Sequence, residues 1–125
     1  MHRDSIQLNG MSFYGYHGVS EAERELGQRF VVDLEIYRDL SLAGESDNLD
    51  DTVNYTNLYK IVKKIVEDSR HELLESLAES ITKRVLEEFT VDSVKLTVKK
   101  PSVPIKGSLL DYAGITIFRE QKGSP

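Results

Sequence analysis

Residues 30–37, Phe30-Val31-Val32-Asp33-Leu34-Glu35-Ile36-Tyr37, alternate with period two. Phe30, Val32, Leu34 and Ile36 fall on one side, and Val31, Asp33, Glu35 and Tyr37 on the other. That is the pattern of a half-buried strand. Upstream, residues 5–17 mix apolar and aromatic residues, with Ile6 and Leu8 alternating with polar neighbours. They read as a strand in which Gly10 and Gly15 mark bulges or close backbone approach. The intervening Gly18–Gly27 is a polar, acidic connection.

Downstream, Ser41–Asn54 is rich in Gly, Ser, Asn and Asp and reads as a loop with no face for a core. Leu58, Ile61, Val62, Ile65 and Val66 then recur at helical spacing, with Asn54 or Thr56 as cap. The polar run from Asp68 to Glu72 breaks that helix. A second carries Leu74, Leu77, Ala78, Ile81, Val85 and Phe89 on one stripe. Val94, Leu96 and Val98 give a third strand, ended by Pro101 and Pro104. Ser102–Tyr112 is a loop, and Ile115–Arg119 a last short strand. The order ββααββ predicts an α+β domain, an antiparallel sheet with both helices on one face. Val31, Tyr37 and Phe118 stand in outward register, which suggests that the other face meets another sheet or another chain, against the plain alternative of scattered exposed apolars.

The 125 residues make a single domain, with an ordered core over about residues 5–120 and a frayed tail, Gln121 to Pro125. With 16 Lys+Arg against 21 Asp+Glu, the net charge of −5 argues against binding nucleic acid. There is no cysteine, which removes thiol catalysis and the usual ligands of structural zinc. His2, His17 and His71 show no paired metal-ligand spacing, so no metal site is expected. Neither a membrane span nor a signal peptide is recognisable, and the expected location is cytoplasmic.

Chemistry could sit in four places, each of which alone also reads as ordinary structure. Phe13-Tyr14-Gly15-Tyr16-His17-Gly18, followed by Glu21, Glu23 and Glu25, could wall a flat pocket or end a strand. His17 taken alone reads as hydrogen-bonded structure. Asp51-Thr52-Val53-Asn54-Tyr55 could present a tyrosine hydroxyl for proton transfer, or simply cap a helix. In Leu73-Leu74-Glu75-Ser76-Leu77-Ala78-Glu79, Glu75 lies in a first helical turn. It could answer the helix dipole, or accept two parallel hydrogen bonds from an amidine-like edge. In Thr97-Val98-Lys99-Lys100-Pro101 the two lysines point to opposite faces. One could enter a cleft as a general base, or both could be solvated.

In this order and spacing, the four segments resemble dihydroneopterin aldolase over about residues 5–120. The features that carry the likeness are Tyr14-Gly15-Tyr16-His17-Gly18 with Glu23, Gly27-Gln28-Arg29-Phe30, Thr52-Val53-Asn54-Tyr55, Leu74-Glu75-Ser76-Leu77-Ala78-Glu79, and Lys100-Pro101 with Pro104-Ile105. The resemblance implies the tunnelling fold, in which subunit sheets join into a barrel, commonly as a homo-octamer of two stacked tetrameric rings with sites between subunits. It implies an aldehyde-lyase of folate biosynthesis that uses no metal and no Schiff base. The substrate would be 7,8-dihydroneopterin, and the products 6-hydroxymethyl-7,8-dihydropterin and glycolaldehyde, with 2′-epimerisation to 7,8-dihydromonapterin as a side activity. By resemblance, Lys100 is the catalytic lysine, Tyr55 of a neighbouring subunit assists proton transfer, and Glu23 lies near the substrate hydroxyls. Glu75 and the backbone of Leu74 hold the pterin's amino-pyrimidine edge. Val19, Val53 and Asn54 line the pocket.

The chain departs from the commonest family pattern at Asn54 (often His or Ser), at Lys106 (often Pro), and in a 108–113 loop about one residue longer than usual. Zinc-dependent pterin enzymes of this fold need Cys or paired His, which are missing. The alternatives left are a dihydroneopterin triphosphate epimerase, which needs basic groups for the triphosphate, and a non-catalytic pterin-binding oligomer.

Overall fold

The alternation in residues 30–37 places Phe30, Val32, Leu34 and Ile36 inside, each 0–1% exposed. In the computed structural model, which describes residues 3–122, they form the middle of β2 (Gln28–Tyr37). The expectations for Met1-His2 and for the tail at Gly123-Ser124-Pro125 lie outside the described residues. β1 (Ser5–Gly15), β2, β3 (Ser93–Lys100) and β4 (Ala113–Glu120) make one antiparallel sheet in sequence order. The strands are longer than the alternation predicts, because hydrogen-bond pairing runs past the apolar residues: Tyr37 pairs Ser93, and Lys100 pairs Ala113.

Both glycines of β1 act as expected. The register shifts between Leu8 and Met11, where Gly10 has φ +72° and donates its N–H to Asp33 Oδ1 at 2.6 Å. At Gly15 a Cβ would stand 3.0 Å from the Val66 carbonyl oxygen.

Two long helices cover one face of the sheet. α3 (Tyr55–Asp68) buries Leu58, Val62, Ile65 and Val66, and α4 (Leu74–Glu88) buries Leu77, Ala78, Ile81, Thr82 and Val85. Each large apolar member contributes about 2 kcal/mol on leaving water, so the stripes, more than helix propensity, fix the helices to the sheet. Asn54, not Thr56, is the cap: its Oδ1 accepts the Thr56 N–H at 2.9 Å.

Two expectations are corrected. Gly18–Gly27 holds a helix, α1 (Glu21–Leu26), and the stretch before α3 is not a featureless loop. It contains α2 (Ser41–Ser46), a 3-10 turn at Leu49–Asp51, and Val53, which is buried in the core. None of these short helices buries a residue of its own, so none leaves an apolar period. The uncovered sheet face is more polar than Val31, Tyr37 and Phe118 suggest. Lys99 pairs Asp33 at 3.0 Å, the Thr97 and Thr116 hydroxyls meet at 2.8 Å, and Ser5 and Gln7 both donate to Glu35. Among the described residues no helix is long and apolar enough to cross a membrane, and no group of three or more His, Asp or Glu could hold a metal ion.

Candidate active site

Ser20 opens α1 with a capping box. Its Oγ accepts the Glu23 N–H at 3.2 Å, and Glu23 Oε1 turns back to the Ser20 N–H at 3.3 Å and Oγ at 3.1 Å. That return orients the other carboxylate oxygen. Glu23 Oε2 accepts Gln28 Nε2 at 3.0 Å and pairs Lys100 Nζ at 2.5 Å. The Lys100 and Glu23 side chains are 14% and 10% exposed. Burial pushes the Glu23 carboxyl up, but the hydrogen bonds from Lys100, Gln28 and Ser20 outweigh it and hold the pKa at about 2. Glu23 is therefore a fixed carboxylate with an ammonium against it. Glu23, which holds Lys100, walls a cleft of about 330 Å³ together with Gly27, Gln28, Ser102 and Pro104.

The two lysines separate as the alternation requires. Lys99 stays on the polar sheet face with Asp33 and lies 4.8 Å from the Tyr112 ring, while Lys100 turns to Glu23. Gln28, 9% exposed, belongs to the cluster although its residue type gave no hint of a role. The Ser20-x-x-Glu23 spacing is a capping signature that the sequence already contained.

His17 is buried structure, as its isolated reading held. Its Nε2 faces the Val66 carbonyl at 2.7 Å, and its Nδ1 accepts the His71 backbone N–H at 3.1 Å. A carbonyl only accepts and an amide only donates, so the ring is the neutral tautomer with hydrogen on Nε2. Burial, foremost, lowers its pKa against the opposing pull of the Val66 carbonyl, and His71 and Arg70 add to the lowering. Gly18 N–H donates to the His71 carbonyl at 3.0 Å. The start of α4, with half-buried Leu74 and exposed Glu75, is thereby docked beside the 17–18 segment. No side chain caps the N-terminus of α4, and Glu75 lies in its first turn. Val19, next to Gly18, is 65% exposed.

Tyr55, Asn54 and Val53 are elsewhere. Val53 and Asn54 wall a second cleft of about 530 Å³ with Arg38 and Thr90, just past the far end of β2. Gln28 opens β2 and Arg38 directly follows its last residue, so the two are separated by about 30 Å of extended chain. Tyr55, 61% exposed, opens α3 there and does not share a site with Lys100 of its own chain. Lys106 and residues 109–111 are exposed, with Leu109 fully so.

A family model described as dihydroneopterin aldolase (FolB) matches residues 6–118. Dihydroneopterin aldolase of Staphylococcus epidermidis is 51% identical over 94% of this chain and 97% of its own length. The enzyme of Bacillus subtilis is 49% identical over 94% and 98%. A crystal structure of the E. coli enzyme in complex with neopterin superposes with a TM-score of 0.86 at 27% identity, covering 93% of this chain and 98% of that one. With relatives this close over nearly the whole length, and a sheet and helices that match, the chain belongs to the dihydroneopterin aldolases, a family of enzymes.

Proposed function

We propose that this chain splits the C1′–C2′ bond of 7,8-dihydroneopterin by general acid–base catalysis. The supporting observation is the Glu23–Lys100 pair, whose Glu23, with Gln28, walls a cleft. The 2′-hydroxyl must lose its proton, the C1′–C2′ electron pair must move toward the ring's N5=C6 imine, and C1′ must then gain a proton. The ring itself accepts the electrons, so the protein's task is to orient the substrate and move protons. Glu23 accepts hydrogen bonds from the substrate hydroxyls, and Lys100 acts after its resting ammonium has given a proton to water. The neutral amine then takes the 2′ proton, directly or through water, and as ammonium returns a proton to C1′. The carboxylate of Glu75 and the backbone of Leu74 hold the amino-pyrimidine edge by two parallel hydrogen bonds. If glycolaldehyde turns over before it leaves, re-forming the bond on its other face gives the 2′ epimer.

Tyr55, with Val53 and Asn54, serves the site of a neighbouring copy. Its exposure, and its place at the opposite end of the sheet from Lys100, support that role. Joining of sheets edge to edge, up to the octamer of two rings, would also pair the open edges of β1 and β4.

Product chromatography after incubation with 7,8-dihydroneopterin in excess EDTA tests the proposal. Glycolaldehyde and 6-hydroxymethyl-7,8-dihydropterin are expected. Dihydromonapterin alone would indicate an epimerase, and unchanged substrate a binding protein. Lys100→Ala should lower turnover at least 100-fold, the scale of a lost acid–base group, while leaving pterin affinity largely intact. Glu75→Ala should do the reverse, weakening binding most. Loss of binding with unchanged chemistry in Lys100→Ala would sink the assignment.

A further inference from the structure

Among the described residues His17 is the largest buried polar side chain, and the chemistry proposed above does not use it. It ties together three segments far apart in sequence. Its Nε2–H satisfies the Val66 carbonyl, one of the last four of α3, which has no helical partner of its own. Its Nδ1 receives the His71 N–H, and the next residue, Gly18, donates to the His71 carbonyl. Residue 71 is thus gripped at both backbone groups by 17–18. From there the His71 ring reaches the Ser76 hydroxyl at 2.7 Å, inside the first turn of α4. Phe30 of β2 packs edge-on against the His17 ring at 5.2 Å between centroids and fixes its plane.

On one side of this clamp the chain runs through Ser20 to Glu23, and on the other it runs into Leu74 and Glu75. We infer that His17 is a positioning residue that sets the distance between the Glu23–Lys100 pair and the Glu75 anchor, so that one ligand can touch both. The inference rests on the pterin-anchoring role proposed for Glu75. The half of the imidazole that matters for it is Nδ1, because that nitrogen holds the α4 start. The Nε2 half only closes the end of α3.

Two substitutions divide the ring's functions. His17→Asn puts an acceptor near the Nδ1 position and gives up the Val66 link. His17→Gln puts a donor near the Nε2 position and gives up the His71 link. Both should lower the melting temperature, since each leaves one buried backbone group without a partner. They should differ in binding. His17→Gln should weaken equilibrium binding of 7,8-dihydroneopterin about tenfold, the worth of one hydrogen bond, with kcat at saturation changed less. His17→Asn should stay within about threefold of the parent affinity. Amide hydrogen exchange reads the clamp without ligand: residues 71–76 should exchange faster in His17→Gln than in His17→Asn. Equal affinities in the two variants, or equal exchange over 71–76, would overturn the inference. If the parent protein fails to bind the pterin, the fault lies with the proposed function, and the exchange data still decide on the clamp.

Discussion

Glu23 meets two different demands with its two oxygens. Oε1 closes the α1 capping box, and Oε2 holds Gln28 and Lys100. Burial opposes the charge, and the hydrogen bonds more than restore it, to a pKa of about 2. The folded value lies below the ordinary value of 4.5, so the carboxylate's contribution to stability is complete above about pH 4.5. It is lost as pH falls through about 2. Glu23→Gln leaves the Lys100 ammonium mostly buried and unpaired, which should cost about 2 kcal/mol at neutral pH. In urea denaturation the gap between parent and variant should narrow steadily below about pH 4.5. A gap that stays constant down to about pH 2 would mean that the pair contributes nothing through its charge.

α1 shows how a short element can carry a site without announcing itself. It buries none of its six residues, so its position depends on its ends. Ser20 fixes the start. At the other end Gly27 has φ +70° and ψ 173°, a conformation that favours glycine, and a Cβ there would stand 2.5 Å from Tyr14 Cε2 and 2.8 Å from Tyr16 Cε1. Gly27→Ala should cost about 2 kcal/mol and lower the melting temperature by roughly 8 °C. It should also lower aldolase activity more than the loss of stability explains, because Glu23 and Gln28 flank the turn that the added methyl would distort. Calorimetry and turnover at a temperature where the variant remains folded would check both. Unchanged turnover there would show that α1 tolerates displacement.

The strands and long helices were readable because each records its covered side in a period, as Phe30 to Ile36 and Leu77 to Val85 do. α1, α2 and the Leu49–Asp51 turn leave no such record. The site divides likewise. Glu23, Glu75, Tyr55 and Lys100 are candidates through resemblance alone, whereas the opposite facing of Lys99 and Lys100 was readable from alternation. The contact between Lys100 and Glu23 was not readable, since it depends on β3 lying beside β2 with α1 folded over the end. Gln28 stood inside a matching segment, Gly27-Gln28-Arg29-Phe30, but with no role attached, as one amide in a strand acquires meaning only by being buried against a carboxylate.

For the whole molecule, the polar uncovered face changes what association must do. Its Asp33–Lys99 pair and threonine contact offer little apolar area to stack on, so copies are expected to meet through sheet edges rather than face to face. Shared sites can be tested by mixing. Lys100→Ala and Tyr55→Phe proteins should each be nearly inactive as aldolases. Refolded together in equal amounts, they should recover about a quarter of parental activity, the share of sites that receive both intact residues by random assembly. No recovery would mean that the two residues do not serve one site across copies.

The sheet order also bears on time. β1 with β2, and β3 with β4, are joined by residues 16–27 and 101–112, whereas β2 reaches β3 only across residues 38–92 with both long helices between. Closing the larger loop costs more chain entropy, so the central seam is the slow event and the two outer pairings are the quick ones. Glu23 belongs to one side of that seam and Lys100 to the other. The chain therefore lacks the Glu23–Lys100 ion pair at any earlier moment of its folding, and acquires it in the same step that completes its core.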